Sequence, residues 1–356
     1  MPSLAAISTI DFPYKAAQSE AKQYAKELFQ PSFPQVERIL SAFDNGEIKT
    51  RNFCKPLDYY SSVHSFKEQN DEYIKIALEY SIIAIEEAVA SAQINKDEIT
   101  DIIFVSTTGL ATPSMDALII NKMKLNQNIV RTPIFGLGCA GGVSGYAKAS
   151  ILAKANPDAI VLLVAVELCS LTFLRNDFSK SNFIGTSLFA DGVAVCIIKG
   201  DNHFLQTKSE LTFLASQSKL YYDTLDVMGW EFHDAGFKVL FSQDIPNIIL
   251  TNIRNDVSSF LHKHQLSLSD IKNFIFHPGG KKILTAYTDA LAIQSREDFL
   301  KYSRAVMTDY GNMSSASVLY VLERFISQGY EDGYGLMMSM GPGFSSEMVL
   351  LRMINN

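Results

Sequence analysis

The segment from Ala159 to Val166 is apolar at every position and is bounded by Asp158 and Glu167. It is too short to cross a bilayer and reads as a buried strand. Ile102 to Ser106, Ile134 to Leu137 and Ala190 to Ile198 read as further strands, the last one after an Asp191-Gly192 turn. Between them, Glu72 to Ala92 and Val143 to Ala155 carry helical periodicity. Upstream, periodic apolar positions through Ala16 to Ala42, broken at Pro31 and Pro34, predict two helices.

The second half repeats this grammar. A helix from about Ile245 to His264 precedes the strand Phe274 to Phe276, and a helix begins at Lys281. A long apolar helix reaches Phe325, and closing strands from Tyr334 to Met340 and Glu347 to Met353 flank Gly341-Pro342-Gly343. Two halves of similar order point to an α/β chain with internal duplication, although no residue-level repeat is evident. With 356 residues, 47% of them hydrophobic, the chain can supply a large core and enclose a pocket.

Charge narrows the partners. The net charge is -7, without a long run of either sign, so no extended nucleic-acid surface is expected. No integral membrane segment and no signal peptide are read; Met1 to Tyr14 lacks a basic stretch followed by an apolar core. Cys54, Cys139, Cys169 and Cys196 have neither metal-ligand spacing nor disulfide-scaffold density, which fits a reduced, cytoplasmic chain. His64, His203, His233, His262 and His264 form no metal motif, and there is no GxGxxG or P-loop. Neither a metal nor a bound cofactor is therefore expected.

Three positions carry chemistry. Cys139 sits among Gly136, Gly138, Gly141 and Gly142, at the junction between an expected strand and the helix from Val143. Helix amides there would lower the thiol pKa and favour the thiolate, and the glycines allow close approach of a thioester. Taken alone, a cysteine in such a segment reads equally as a small buried hydrophobe. His277 opens His277-Pro278-Gly279-Gly280 after a strand; it is either a satisfied loop histidine or an imidazole that holds the thiolate as an ion pair. Asn312, in Gly311-Asn312-Met313-Ser314, is either a cap or an amide donor to a substrate oxygen. Lys49 and Arg51 form a compact basic pair that reads as a solvated face or as a phosphate contact.

Together, Phe135-Gly136-Leu137-Gly138-Cys139-Ala140-Gly141-Gly142, His277-Pro278-Gly279-Gly280 and Gly311-Asn312-Met313-Ser314-Ser315-Ala316 resemble the type III polyketide synthases, the chalcone-synthase-like branch of the thiolase superfamily. The resemblance implies a thiolase-like five-layer αβαβα fold with two duplicated halves, 1–209 carrying the nucleophile and 210–356 carrying His and Asn. It implies a homodimer and an acyltransferase that uses coenzyme A thioesters, an acyl-CoA starter and malonyl-CoA, as substrates. Cys139 matches the acylated nucleophile, His277 its activating partner and Asn312 the group that helps decarboxylate the extender. Lys49 and Arg51 fall where relatives contact coenzyme A phosphates.

Positions that shape the cavity or product are Thr108, Thr112, Cys169, Thr172, Gly185, Phe189, Met228, Gly229, Trp230, Val239, Gly341, Pro342 and Gly343. Thr112 matches a residue that reaches toward the partner subunit. Phe189 matches one gatekeeping phenylalanine, while Val239 replaces the other. The region around Cys169 and Met228-Gly229-Trp230 looks closest to bacterial alkylpyrone and alkylresorcinol synthases, which implies a fatty-acyl starter and an alkylpyrone product. The alternatives are resorcinol closure, a single-round 3-ketoacyl synthase, a cysteine hydrolase and a non-catalytic lipid-binding or interaction protein.

Overall fold

The computed structural model of the chain describes residues 1–30, 33, 36–203, 209–293 and 298–355. Its strands are β1 (Ser3–Thr9), β2 (Tyr14–Ala17), β3 (Thr50–Phe53), β4 (Asp101–Val105), β5 (Val130–Ile134), β6 (Ile160–Leu168), β7 (Asp191–Lys199), β8 (Ser209–Leu220), β9 (Met228–His233), β10 (Gly236–Phe241), β11 (Ile271–Phe276), β12 (Gly333–Gly341) and β13 (Ser345–Asn355). Its helices are α1 (Gln18–Phe29), α2 (Val36–Asp44), α3 (Phe66–Ala92), α4 (Met115–Met123), α5 (Gly141–Ala155), α6 (Lys180–Leu188), α7 (Ile245–Lys263), α8 (Lys281–Leu291), α9 (Lys301–Tyr310) and α10 (Ser317–Gln328). Pro31 and Pro34, expected to separate the first two helices, lie outside the described residues.

Nine strands form one ladder in the order β11-β12-β13-β8-β1-β7-β6-β4-β5. The apolar run in β6 shows why helices cover both faces of its half. Ile160, Leu162, Val164 and Val166 enter one core cluster with Ile76 and Ile85 of α3 and Ile119 of α4. Val161, Leu163 and Ala165 enter another with Val143 and Tyr146 of α5 and Leu319 and Leu322 of α10. Successive strand side chains point to opposite faces, so a strand apolar at every position needs a helix layer on each side. In the other half, Met337 of β12 faces the central helices while Leu336 and Met338 face α7 and α8. The layers thus run α3 and α4, sheet, α5 and α10, sheet, α7 and α8, the thiolase-like arrangement.

The central helices meet at their beginnings. Each follows a short 3-10 turn, Gly138–Ala140 before α5 and Ser314–Ala316 before α10. Only glycine fits at 142, because a Cβ there would lie 2.1 Å from the Ser315 carbonyl oxygen. This approach brings the Cys139 turn against the segment after Asn312.

Local departures from the expected elements have local causes. The helix expected from Glu72 begins at Phe66, where Ser65 Oγ accepts from Glu68 N and Glu68 Oε2 accepts from Ser65 N, a capping box. The strand expected at Ile134–Leu137 is instead Val130–Ile134, since its parallel partner β4 ends at Val105 opposite Ile134. Asp191 and Gly192 are not a turn but the start of β7, opposite Leu168 and Glu167. The Asp191 carboxylate is satisfied there by Cys54 N, Ser170 N and Ser170 Oγ, which lets a charged residue occupy a buried strand.

Candidate active site

Cys139 lies in the turn that feeds α5 and is 7% exposed. Gly341 and Pro342 close over this turn; a Cβ at Gly138, whose φ is +46°, would stand 2.7 Å from Pro342 Cδ. Gly343 N donates to Met228 O at 3.3 Å, tying the covering loop to the β9–β10 hairpin.

His277 ends the β11 ladder, its backbone N donating to Met338 O at 2.9 Å. The imidazole is 3% exposed, and both ring nitrogens lack a hydrogen-bond partner among the described residues. Asn312 is fully buried. Its backbone bridges the α6–β7 junction, donating to Leu188 O at 2.8 Å and accepting from Ala190 N at 2.9 Å. Its Oδ1 accepts from Ser314 N at 2.9 Å, and its Nδ2 donates at 3.4 Å to Gly279 O, two residues from His277.

The electrostatics differ from the thiolate expected from helix position. Burial pushes the Cys139 thiol up to about 12; Glu167 adds to the rise, while side-chain hydrogen bonds with Ser314 and Asn312 oppose it. Burial alone lowers His277 to about 3. Desolvation of each charged form opposes the helix N-terminus and favours a neutral thiol and a neutral imidazole.

Glu167 was the polar end of the apolar run in the sequence, yet it lies inside β6 and is fully buried. Its Oε1 accepts from Ser315 Oγ at 2.6 Å, and its Oε2 accepts from Thr107 N at 3.0 Å and Thr108 Oγ1 at 2.9 Å. Thr107 Oγ1 in turn accepts from Gly138 N at 2.9 Å. Thr108 therefore acts through this network behind the cysteine turn. The only sequence signal for it was the Thr107-Thr108 pair opposite a lone acid.

Burial raises the Glu167 pKa to about 7. The folded protein thus holds a proton that the unfolded chain releases near pH 4.5, so the stabilisation is complete below about pH 4.5 and lost as pH rises to about 7. Thermal unfolding of Glu167→Gln should accordingly gain on wild type across that window, by on the order of 3 kcal/mol. Parallel melting curves at every pH would contradict the assignment.

Arg51 is not the solvated cation expected for a phosphate contact. It is 3% exposed, and its Nη1 donates to Thr186 O at 2.7 Å and Phe189 O at 2.9 Å. Its stem packs on Gly311, and the guanidinium lies over the Phe43 and Phe53 rings. Burial lowers its pKa to about 10, against the pull of Asp191. It thereby clamps the junction that holds Asn312. Lys49 is exposed, with its backbone N on Thr308 O. Arg51→Met should lower kcat roughly ten- to hundredfold through misplacement of Asn312; a rise in KM for coenzyme A thioesters at unchanged kcat would instead mark a phosphate contact.

A narrow apolar cavity of about 70 Å³, below the roughly 300–1,000 Å³ usual for small-molecule sites, gathers Cys169, Thr172, Gly185, Phe189, Trp230 and Val239. Ala21, Ala25 and Leu28 of α1 form a wall that sequence reading missed. Phe189 stands between this cavity and Asn312, to which it is joined by a β-bridge. The Trp230 and Phe241 rings lie 6.3 and 6.2 Å from it. Met228 and Gly229 pair with Phe241 and Leu240 in the hairpin and are not in the cavity wall. Thr112 is exposed. A second, wider cavity opens beside Gly279 and Gly280 and carries Lys180, Lys281 and Lys282.

With this geometry in view, the relatives decide the family. The family models for chalcone and stilbene synthases match, the N-terminal domain over residues 61–202 and the C-terminal domain over 212–355. A putative chalcone synthase of Bacillus subtilis is 42% identical over 95% of this chain and 94% of its own length. The chain belongs to the type III polyketide synthases.

This synthase is also 33% identical, over 98% of its length and 93% of the relative, to a 1,3,6,8-tetrahydroxynaphthalene synthase of Streptomyces peucetius subsp. caesius. The crystal structure of 1,3,6,8-tetrahydroxynaphthalene synthase from Streptomyces coelicolor A3(2), a bacterial type III polyketide synthase, superposes with a TM-score of 0.91 at 27% identity, covering 98% of this chain and 99% of that one. The protein is accordingly a carbon-carbon condensing enzyme of the acyltransferase class, with a thiolase-like fold.

Proposed function

We propose that this synthase loads an aliphatic acyl-CoA starter on Cys139 and extends it repeatedly with malonyl-CoA to an alkylpyrone. The observation that carries the reading is the apolar cavity at Val239, joined to Asn312 through Phe189. Cys139 Sγ attacks the starter carbonyl carbon, His277 takes the thiol proton, and coenzyme A leaves with that proton. Malonyl-CoA then occupies the site. Its carboxyl carbon-carbon bond breaks, carbon dioxide departs, and the electron pair becomes an enolate whose oxygen faces His277 and Asn312 Nδ2. The enolate carbon attacks the Cys139 thioester and displaces the sulfur, giving a β-ketoacyl-CoA longer by two carbons. Reloading repeats the cycle, and attack of an enol oxygen on the C1 thioester carbonyl closes the pyrone as the C1–sulfur bond breaks and coenzyme A leaves with the enol proton.

The three lysines of the wider cavity suit the phosphates of coenzyme A. Lys180 and Lys282 make no ion pair among the described residues, and Lys281 Nζ lies 3.0 Å from Glu47. A homodimer fits the exposed apolar Leu110, Val130 and Phe135 near the exposed Thr112. Each methylene withdrawn from water contributes about 0.8 kcal/mol, enough for the cavity to select chain length.

The names of the tetrahydroxynaphthalene synthases favour a second reading, in which the product is a polyhydroxylated aromatic rather than an alkylpyrone. A panel of short, aromatic and long-chain starters separates the two. Long-chain acyl-CoA should give the highest kcat/KM, and Val239→Phe should shift the optimum to shorter chains by roughly tenfold or more in relative kcat/KM. Equal use of all starters, with no shift in the variant, overturns the aliphatic assignment.

A further inference from the structure

The last turn of α6 ends, like any helix C-terminus, in carbonyl groups that no residue of the helix can satisfy. Phe189 leaves the helix in an extended conformation, so no left-handed cap supplies a local donor. Donors from elsewhere in the chain take that place. Arg51 Nη1 holds Thr186 O and Phe189 O, Asn312 N holds Leu188 O, and Gln18 Nε2 donates to Ser187 O at 2.9 Å. Gln18, the first residue of α1, thus grips the carbonyl next to the one that carries Asn312.

Gln18 is tied to the other side of Asn312 as well. Its backbone N donates to Lys49 O at 2.8 Å, and Lys49 N donates to Thr308 O at 2.8 Å. Thr50 Oγ1 donates to Asp309 O at 2.6 Å. Thr308 and Asp309 belong to the last turn of α9, which runs through Gly311 into Asn312. The chain therefore reaches Asn312 from the end of α9 and is pinned there to the end of α6, and Gln18 connects the two helix ends.

Stability alone gives no reason for an amide at this position. Gln18 is buried, its second contact, with Phe43 O, is long at 3.5 Å, and its Oε1 has no partner among the described residues. An unpaired buried oxygen costs free energy that an apolar side chain of the same length avoids. What the apolar side chain lacks is the donor to Ser187 O.

We infer that Gln18 is a positioning residue for the extender half of the cycle: it fixes the last turn of α6 and, through that turn, the placement of Asn312. Cys139 is carried by the turn before α5 and His277 by the end of β11. Neither segment is hydrogen-bonded to Gln18, so acyl loading does not depend on it. The inference rests on the reading of Asn312 as the amide that faces the extender oxygen.

Two rates separate the steps: carbon dioxide release from malonyl-CoA by the acyl-enzyme, and acyl loading followed by intact-protein mass. Gln18→Met keeps the length of the side chain and removes the donor. It should lower decarboxylation about tenfold, with KM for malonyl-CoA and the loading rate each within about twofold of wild type. Loading at that rate also shows that the variant is folded. Gln18→Lys restores a donor at similar reach and should keep at least about a third of wild-type decarboxylation. An unchanged decarboxylation rate in Gln18→Met, an equal loss of both steps, or the same loss in Gln18→Lys as in Gln18→Met overturns the inference. Asn312→Ala, measured alongside, tests the reading beneath it. If that variant decarboxylates malonyl-CoA like wild type, the role of Asn312 fails; if it loses decarboxylation while Gln18→Met does not, only the role of Gln18 fails.

Discussion

Cys139→Ala should leave the fold intact and abolish acyl loading, with product formation lower by roughly a thousandfold or more. The side chain is small and lies in a turn held by Gly138 and Pro342 rather than by its own sulfur, so its truncation removes chemistry before it removes stability. Intact-protein mass after mixing with an acyl-CoA checks this directly. Wild type should gain the acyl mass, and the variant should not. Acylation of the variant at the wild-type rate would move the nucleophile elsewhere, and Cys169, in the cavity wall, would be the next group to examine.

Asn312→Ala should divide the cycle. In the proposed mechanism, starter loading needs Cys139 and His277, whereas the enolate left by loss of carbon dioxide needs every donor that faces its oxygen. Loss of one such donor costs roughly a hundred- to thousandfold. Malonyl-CoA decarboxylation should fall by that much while the acyl-enzyme still forms at a rate within about tenfold of wild type. Equal loss of both steps would assign Asn312 to the thiol rather than to the extender. The side chain touches both regions, through the Cys139 thiol and through Gly279 O, so the partition between steps is the informative quantity.

Much of the layer order was legible because β6 is apolar at every position and the helical segments between strands are periodic. The turn before α5 was legible from its glycines, which mark Cys139 as a candidate. The ionisation of the pair was not. Sequence shows the helix that would stabilise a thiolate but not the depth at which Cys139 and His277 are buried, and burial prevails.

Glu167 and Arg51 escaped for a related reason. A charge at the end of an apolar run reads as an edge, and a Lys-Thr-Arg segment reads as a solvated face. Only tertiary partners reveal that Ser315, Thr107 and Thr108 satisfy the carboxylate and that Thr186 and Phe189 carbonyls satisfy the guanidinium. Ala21, Ala25 and Leu28 are the apolar face of an ordinary helix, and no local pattern distinguishes a face that lines a cavity from one that packs in a core.

Lysines flank the wider cavity beside Gly279, where a phosphorylated carrier can rest, and apolar side chains surround the other, where a growing chain can lie. Phe189 lines the apolar cavity, and its backbone is held by Arg51 on one side and Asn312 on the other. Movement of this phenylalanine would alter both the cavity boundary and the placement of the Asn312 amide.

The measurement that tests iterative condensation most directly is the product mass from an aliphatic acyl-CoA and malonyl-CoA carrying heavy carbon in the two atoms it retains. Repeated extension predicts a product that has gained several labelled two-carbon units on one unlabelled starter. A product carrying a single labelled unit, or unlabelled free acid alone, would contradict it.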